Sequence, residues 1–113
     1  MTAAFENTHP TSSGVTLRWL MEDAITENAG QSLARMTVAP GVTSEAHRHP
    51  NCTETIHVLS GRVEQRRGND WIELDAGDTI LIRQGETHQT RNIGIETADL
   101  ILAYSSGSRV YET

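Results

Sequence analysis

The sequence predicts an all-β domain, and three observations predict it. Nine glycines, at positions 14, 30, 41, 61, 68, 77, 85, 94 and 107, cut the 113 residues into short pieces. Within the pieces, apolar and polar residues alternate with a period of two instead of recurring at helical three- and four-residue spacing. The longest apolar run, Leu100-Ile-Leu-Ala-Tyr104, has strand length and falls far short of the roughly 18 residues of a membrane-crossing helix. Frequent turn signals between short alternating runs predict roughly eight to ten strands closing into a sandwich or barrel.

Taken in chain order, residues 1–14 end in His9-Pro-Thr-Ser-Ser-Gly14. They are polar and turn-rich, and are expected to form a flexible arm that includes His9. Residues 15–113 form one domain by the usual prior of about 100 to 200 residues each. Val15, Leu17, Trp19 and Met21 alternate with Thr16, Arg18 and Leu20, as a strand with one buried face does. Glu22 to Gly30 has some helical character, but Thr26, Asn28 and Gly30 favour a loop. Ala34, Met36 and Val38 alternate with Arg35 and Thr37, giving a second strand. Thr55–Ser60 and Thr79–Ile82 are dense in β-branched residues. Arg66-Arg-Gly-Asn-Asp70 lies between Val63 and Trp71-Ile-Glu-Leu74 as the turn of a hairpin, and Leu100–Tyr104 is the last strand.

Composition excludes several chemistries. Nine basic residues face fifteen acidic ones, a formal charge of -6, so the positive field needed to neutralise phosphates is missing and nucleic acid is not expected as a partner. All nine basic residues are arginine, and the lack of lysine removes Schiff-base, pyridoxal phosphate and phosphate-loop chemistry. Cys52 is the one cysteine and cannot form an internal disulfide. Met1-Thr-Ala-Ala-Phe-Glu lacks a basic segment followed by an apolar run. A cytoplasmic protein without membrane partners is the expectation.

The chemistry is concentrated in histidine and glutamate. His47 and His49 are two apart, and on an extended chain residues i and i+2 share a face, so their imidazoles project side by side. Glu54 follows five residues later, and His88 enters from another strand if the sheet rolls up. Three nitrogens and a carboxylate suit a divalent first-row metal such as Fe, Mn, Ni, Co or Zn. Each signal has a plainer alternative: a His-x-His pair on a solvated strand, and a histidine in an exposed turn.

Their joint spacing is more specific. Gly41 is followed by five residues, His47-Arg-His49, four residues, Glu54, six residues and Gly61. Gly77 is followed by five residues, Arg83-Gln-Gly85, two residues, His88, three residues and Asn92. These blocks, 41–61 and 77–92, resemble the two motifs of the cupin family. They agree with that pattern at each metal-ligand position and depart from it at Arg83, where proline is usual. Only 15 residues, Arg62 to Ala76, separate them, as in small bacterial single-domain cupins.

The resemblance implies a small jelly-roll barrel, a double-stranded β-helix, holding one divalent transition metal on His47, His49, Glu54 and His88. The alternative is a structural cluster without metal. A metal that prefers six ligands has about two positions left over on such a set, enough for a catalytic site. The expected function is a metal-dependent enzyme acting on a small organic molecule, with dioxygenase chemistry first. Non-redox isomerase, epimerase or lyase chemistry and a non-catalytic binding or sensor module are the alternatives. Glu54 is also a candidate base and Tyr104 a candidate proton donor, with Tyr104 and Trp19 otherwise barrel packing.

Strand parity turns Arg18, Arg35 and Arg91 outward, so no arginine is expected inside the barrel, which favours a neutral or enolic substrate over a dianion. His57, three residues past Glu54, has the opposite parity and should face away from the metal. Cys52 is expected to be a small, partly buried loop residue and not a fifth ligand. A homodimer is expected, because a domain this small buries only about 65% of its unfolded surface, and Val15–Met21 is the candidate pairing segment.

Overall fold

The computed structural model describes the backbone of residues 7–12 and residues 14–113 in full. Nine strands are present among them: β1 (Asn7–Ser12), β2 (Val15–Met21), β3 (Ser32–Val38), β4 (Glu54–Ser60), β5 (Arg62–Arg67), β6 (Asp70–Asp75), β7 (Thr79–Ile82), β8 (His88–Asn92) and β9 (Ala98–Tyr104). Their pairing is antiparallel throughout. A six-stranded sheet has the order β1-β2-β3-β9-β4-β7, and a three-stranded sheet the order β6-β5-β8. The all-β jelly-roll expectation holds, and no helix forms among the described residues.

The alternation seen in the sequence sets which face is buried. In β3, Ala34, Met36 and Val38 are buried while Arg35 faces solvent and forms a two-pronged ion pair with Asp99 of β9. In β9, Ala98, Leu100, Leu102 and Tyr104 point inward, and in β4 so do Glu54, Ile56 and Val58. Val63, Leu74, Ile80 and Ile82 close the core from the second sheet and from β7. His57 has the outward parity expected and shares a hydrogen bond with Thr79 Oγ1. Arg91 also turns outward, lying over the Trp71 ring at 4.0 Å.

Two expectations change at the N-terminal end. The arm expected over 1–14 contains a strand: β1 runs along β2 in register from Asn7 opposite Trp19 to Pro10 opposite Thr16. An edge strand tolerates the proline because its missing N–H can face away from the partner. The rest of that arm, residues 1–6 and 13, lies outside the described residues. Consequently β2, the segment expected to pair two copies, is flanked by β1 and β3 and offers no free edge. Among the described residues, the edges of the large sheet are β1 and β7.

The stretch between β3 and β4 is extended but not a regular strand. It runs beside β8 through separate backbone contacts, with Thr43 opposite Arg91 and His47 opposite His88. The one-residue slip between those two bridges marks a bulge, which re-aims the side chains that follow. Buried Asn92 ties this seam to the large sheet: its Nδ2 donates to the carbonyls of Val38 and Glu96, and its Oδ1 accepts from Gly94 N. The second motif therefore ends on asparagine for a structural reason. Its three hydrogen bonds satisfy backbone groups at the end of β3 and in the loop between β8 and β9.

Gly61, which closes the first motif, joins β4 to β5 at a φ of +90°. A Cβ there would lie 2.9 Å from Ala98 Cα on β9, a backbone atom that cannot step aside. Gly61→Ala combines this overlap with the left-handed conformation and is expected to cost about 2–3 kcal/mol. Urea unfolding checks this as a lower midpoint with an unchanged slope.

Candidate metal centre

The four residues singled out by spacing meet. One ligand atom from each of His47, His49, Glu54 and His88 lies within 4.8 Å of all the others, and all but His47 are buried. Glu54 heads β4, opposite Ile82 of β7 and Tyr104 of β9, so the large sheet fixes its carboxylate. His88 heads β8 and pairs through its backbone with His47 in both directions, N to O at 2.8 and 3.1 Å. The i, i+2 parity of His47 and His49 survives in an irregular segment, and their rings stand edge to face with centroids 4.9 Å apart.

The hydrogen bonds of the rings decide what the cluster can bind. Nδ1 of His47 lies 2.7 Å from Glu45 O, Nδ1 of His49 2.8 Å from Val110 O, and Nδ1 of His88 3.0 Å from Glu86 O. A carbonyl only accepts, so each Nδ1 carries the proton and each Nε2 presents a lone pair. Those lone pairs face a carboxylate: His88 Nε2 is 2.9 Å and His49 Nε2 3.3 Å from Glu54 Oε1. Despite the short distances, these three buried atoms make no hydrogen bond. Acceptors brought together in this way need a cation among them, either a proton or a metal. The donor set, its tautomers and its buried unpartnered atoms fit a divalent transition metal.

Titration follows from the same contacts. Burial and the neighbouring His88 lower the pKa of His47 to about 4. Burial works against ionisation of Glu54, yet His49 and His88, when their Nε2 atoms carry a proton and donate to it, bring its carboxyl down to about 2. For His88, burial is outweighed by the Glu54 carboxylate, which raises its pKa above the usual 6.5. Burial raises the Tyr104 phenol well above its usual range, so it keeps its proton and remains a donor, in edge contact with the His49 ring at 5.2 Å between centroids.

The cluster forms one wall of a cavity of about 270 Å³. Val15, Leu17, Met36, Ile56 and Leu102 supply its apolar side, and Ser44, Thr90 and Tyr104 add polar groups. Three further lining residues, Glu45, Arg109 and Tyr111, were not foreseen from the sequence. Arg109 is the principal correction, because an arginine does line the cavity. Its guanidinium lies 3.5 Å above the Trp19 ring and 3.9 Å from the Glu22 carboxylate, and it donates no hydrogen bond among the described residues. Strand parity could not find it, since residues 105–112 follow the last strand. Trp19, expected as packing, is the platform on which Arg109 rests. Cys52 is more deeply buried than expected, and burial raises its thiol pKa, as suits an inert packing residue.

A small antiparallel jelly roll with a buried centre of three histidines and one glutamate defines the class of protein. The sequence matches the Cupin domain model over residues 34–104, and the chain belongs to that family. It is 35% identical over 82 residues to germin-like protein 3-8 of Oryza sativa, covering 68% of this chain and 36% of the rice protein. To oxalate oxidase GF-2.8 of Triticum aestivum it is 31% identical over 105 residues, covering 86% of this chain and 47% of the wheat protein. The chain thus spans less than half the length of these plant relatives. An uncharacterised protein of Methanocaldococcus jannaschii is 33% identical over 84 residues, 74% of this chain and 67% of its own. Among solved structures, an oxalate oxidase superposes with a TM-score of 0.83 at 24% identity over 99% of this chain and 62% of its own. Bacillus subtilis oxalate decarboxylase superposes at 0.85 and 20% identity over 96% of this chain and 30% of its own. At these identities the structural likeness is one of fold.

Metal affinity should depend on pH with a definite sign. A ligand histidine must present a free Nε2, and in the metal-free protein Glu54 holds a proton on His88 to a higher pH than usual. Affinity for Co²⁺ is therefore full above the raised His88 pKa and falls below it, on the order of tenfold per pH unit for one competing proton. His47, at about 4, and Glu54, at about 2, add no competition until the solution is far more acidic. Competition titrations between ~pH 8 and ~pH 5 measure this, and a flat profile would exclude histidine ligation.

Proposed function

We propose that this protein is a metal-dependent cupin enzyme that oxidises a small organic molecule with dioxygen. The observation that carries the proposal is the position of the donor cluster, which faces an open cavity instead of being sealed inside the core. A purely structural metal site is closed by its protein ligands and needs no such space. When bound, a redox-active divalent metal supplies Lewis acidity and electron transfer. The wheat relative is by name an oxalate oxidase, which supports oxygen chemistry on a small oxygen-rich molecule.

The chain's own residues shape the substrate. At about 270 Å³ the cavity lies below the ~300–1,000 Å³ of ligand pockets for drug-sized molecules. Its apolar side accepts a short carbon body, and the Tyr104 hydroxyl can donate a hydrogen bond to a developing oxygen anion. The expectation of a neutral substrate rested on an arginine-free barrel, whereas Arg109 brings a positive charge to the cavity wall. We therefore favour an enolate or a carboxylate-bearing molecule with two adjacent oxygens able to chelate.

Oxygen uptake tests the proposal. Samples loaded with iron or manganese should consume oxygen only when a suitable enolic or carboxylate compound is added. Turnover that continues without oxygen would instead establish isomerase, epimerase or lyase chemistry. Tight binding without turnover across metals would establish a binding or sensor module.

We also propose that two copies pair through a free edge strand, β1 or β7, the latter beside the exposed outward residues Leu59 and Leu81. Light scattering at micromolar concentration should give twice the 12.4 kDa chain mass, and a monodisperse monomer would count against pairing.

A further inference from the structure

We infer that the segment 108–112, which follows β9 and lies outside both motifs, is a working part of the metal centre: Val110 positions His49 and Tyr111 positions His47. The inference rests on the metal-site reading above. His47 and His88 each bond Nδ1 to the carbonyl two residues earlier, those of Glu45 and Glu86. The equivalent carbonyl for His49 is that of His47, and it is already taken by His88 N at 2.8 Å. His49 reaches instead across 61 residues to the carbonyl of Val110, at 2.8 Å. Its tautomer, and hence the direction of its Nε2 lone pair, is set by a segment remote in sequence.

The segment is held to this task at several points. Asn51, between the ligands His49 and Glu54, donates through Nδ2 to Ser108 O and accepts Val110 N at Oδ1, at 3.0 and 2.8 Å. Glu112 pairs with Arg48 through two backbone hydrogen bonds and an ion pair at 2.9 Å. The Tyr111 ring stacks on His47 with centroids 4.5 Å apart and planes 19° from parallel, and its hydroxyl donates to the Glu45 carboxylate. One residue, Glu45, therefore serves both sides of His47, its carbonyl accepting from the imidazole and its carboxylate fixing the tyrosine that covers it. Val110 and Tyr111 are themselves partly exposed, so the segment has little core packing and depends on these polar contacts.

Full-length Asn51→Ala, Tyr111→Ala, their double variant and Tyr111→Phe test the inference with Co²⁺ as probe. Each alanine variant should lose on the order of tenfold in Co²⁺ affinity and the double variant on the order of a hundredfold, the scale of outer-shell changes at metal sites. Tyr111→Phe keeps the ring but loses the bond to Glu45, and its Co²⁺ affinity should fall between those of the unsubstituted chain and Tyr111→Ala. Independently of metal, ¹⁵N spectra should show His49 protonated on Nδ1 in the unsubstituted protein and on Nε2, facing Glu54, in the double variant. Unchanged Co²⁺ affinity in the double variant, or an Nδ1-protonated His49 there, would overturn the inference. If the unsubstituted chain fails to bind Co²⁺, the metal reading falls by itself, and the spectra still decide the role of the segment.

Discussion

An imidazole has two nitrogens, and committing one of them decides the other. Three backbone carbonyls accept from Nδ1 of His47, His49 and His88, and in doing so force three Nε2 lone pairs toward the Glu54 carboxylate. The rest of the centre follows from this apposition. It accounts for the buried polar atoms without partners. A cation placed among acceptors so close together offsets the cost of burying them.

The sheets supply the rigidity that this requires. Glu54 stands between Ile82 and Tyr104 on neighbouring strands of the large sheet, while His88 begins a strand of the small one. The ligands thus come from both halves of the jelly roll and meet where the halves face each other. The irregular path from Thr43 to His49 bridges them, running beside β8 with a one-residue bulge before the two histidines. A site on paired strands holds its geometry better than one on free loops.

Much of the fold was legible because a period of two in the sequence maps directly onto inside and outside. Ala34, Met36 and Val38, the outward Arg35 and Arg91, and the outward His57 all follow it. The four ligand positions were legible through spacing, since glycines at 41, 61, 77 and 85 mark turns that bring distant strands together. The pairing of β1 was hidden because His9-Pro-Thr-Ser has the composition of a loop, and edge strands carry little apolar signal. Arg109, Val110 and Tyr111 were hidden for a different reason. They act from outside regular structure, where no periodicity exists, and Val110 acts through a backbone carbonyl that any residue possesses.

Strand β9 lies inside the six-stranded sheet, between β3 and β4. Its partners precede it by tens of residues, with Val38 opposite Ala98 and Glu54 opposite Tyr104. Neither half of that sheet can be joined to the other until residues 98–104 insert between them. Contacts so distant along the chain carry a large loop-closure entropy before they return any stability, which places this small domain among slow folders. During synthesis, the edges of β3 and β4 that β9 comes to pair stay open until the ribosome has released residues 98–104.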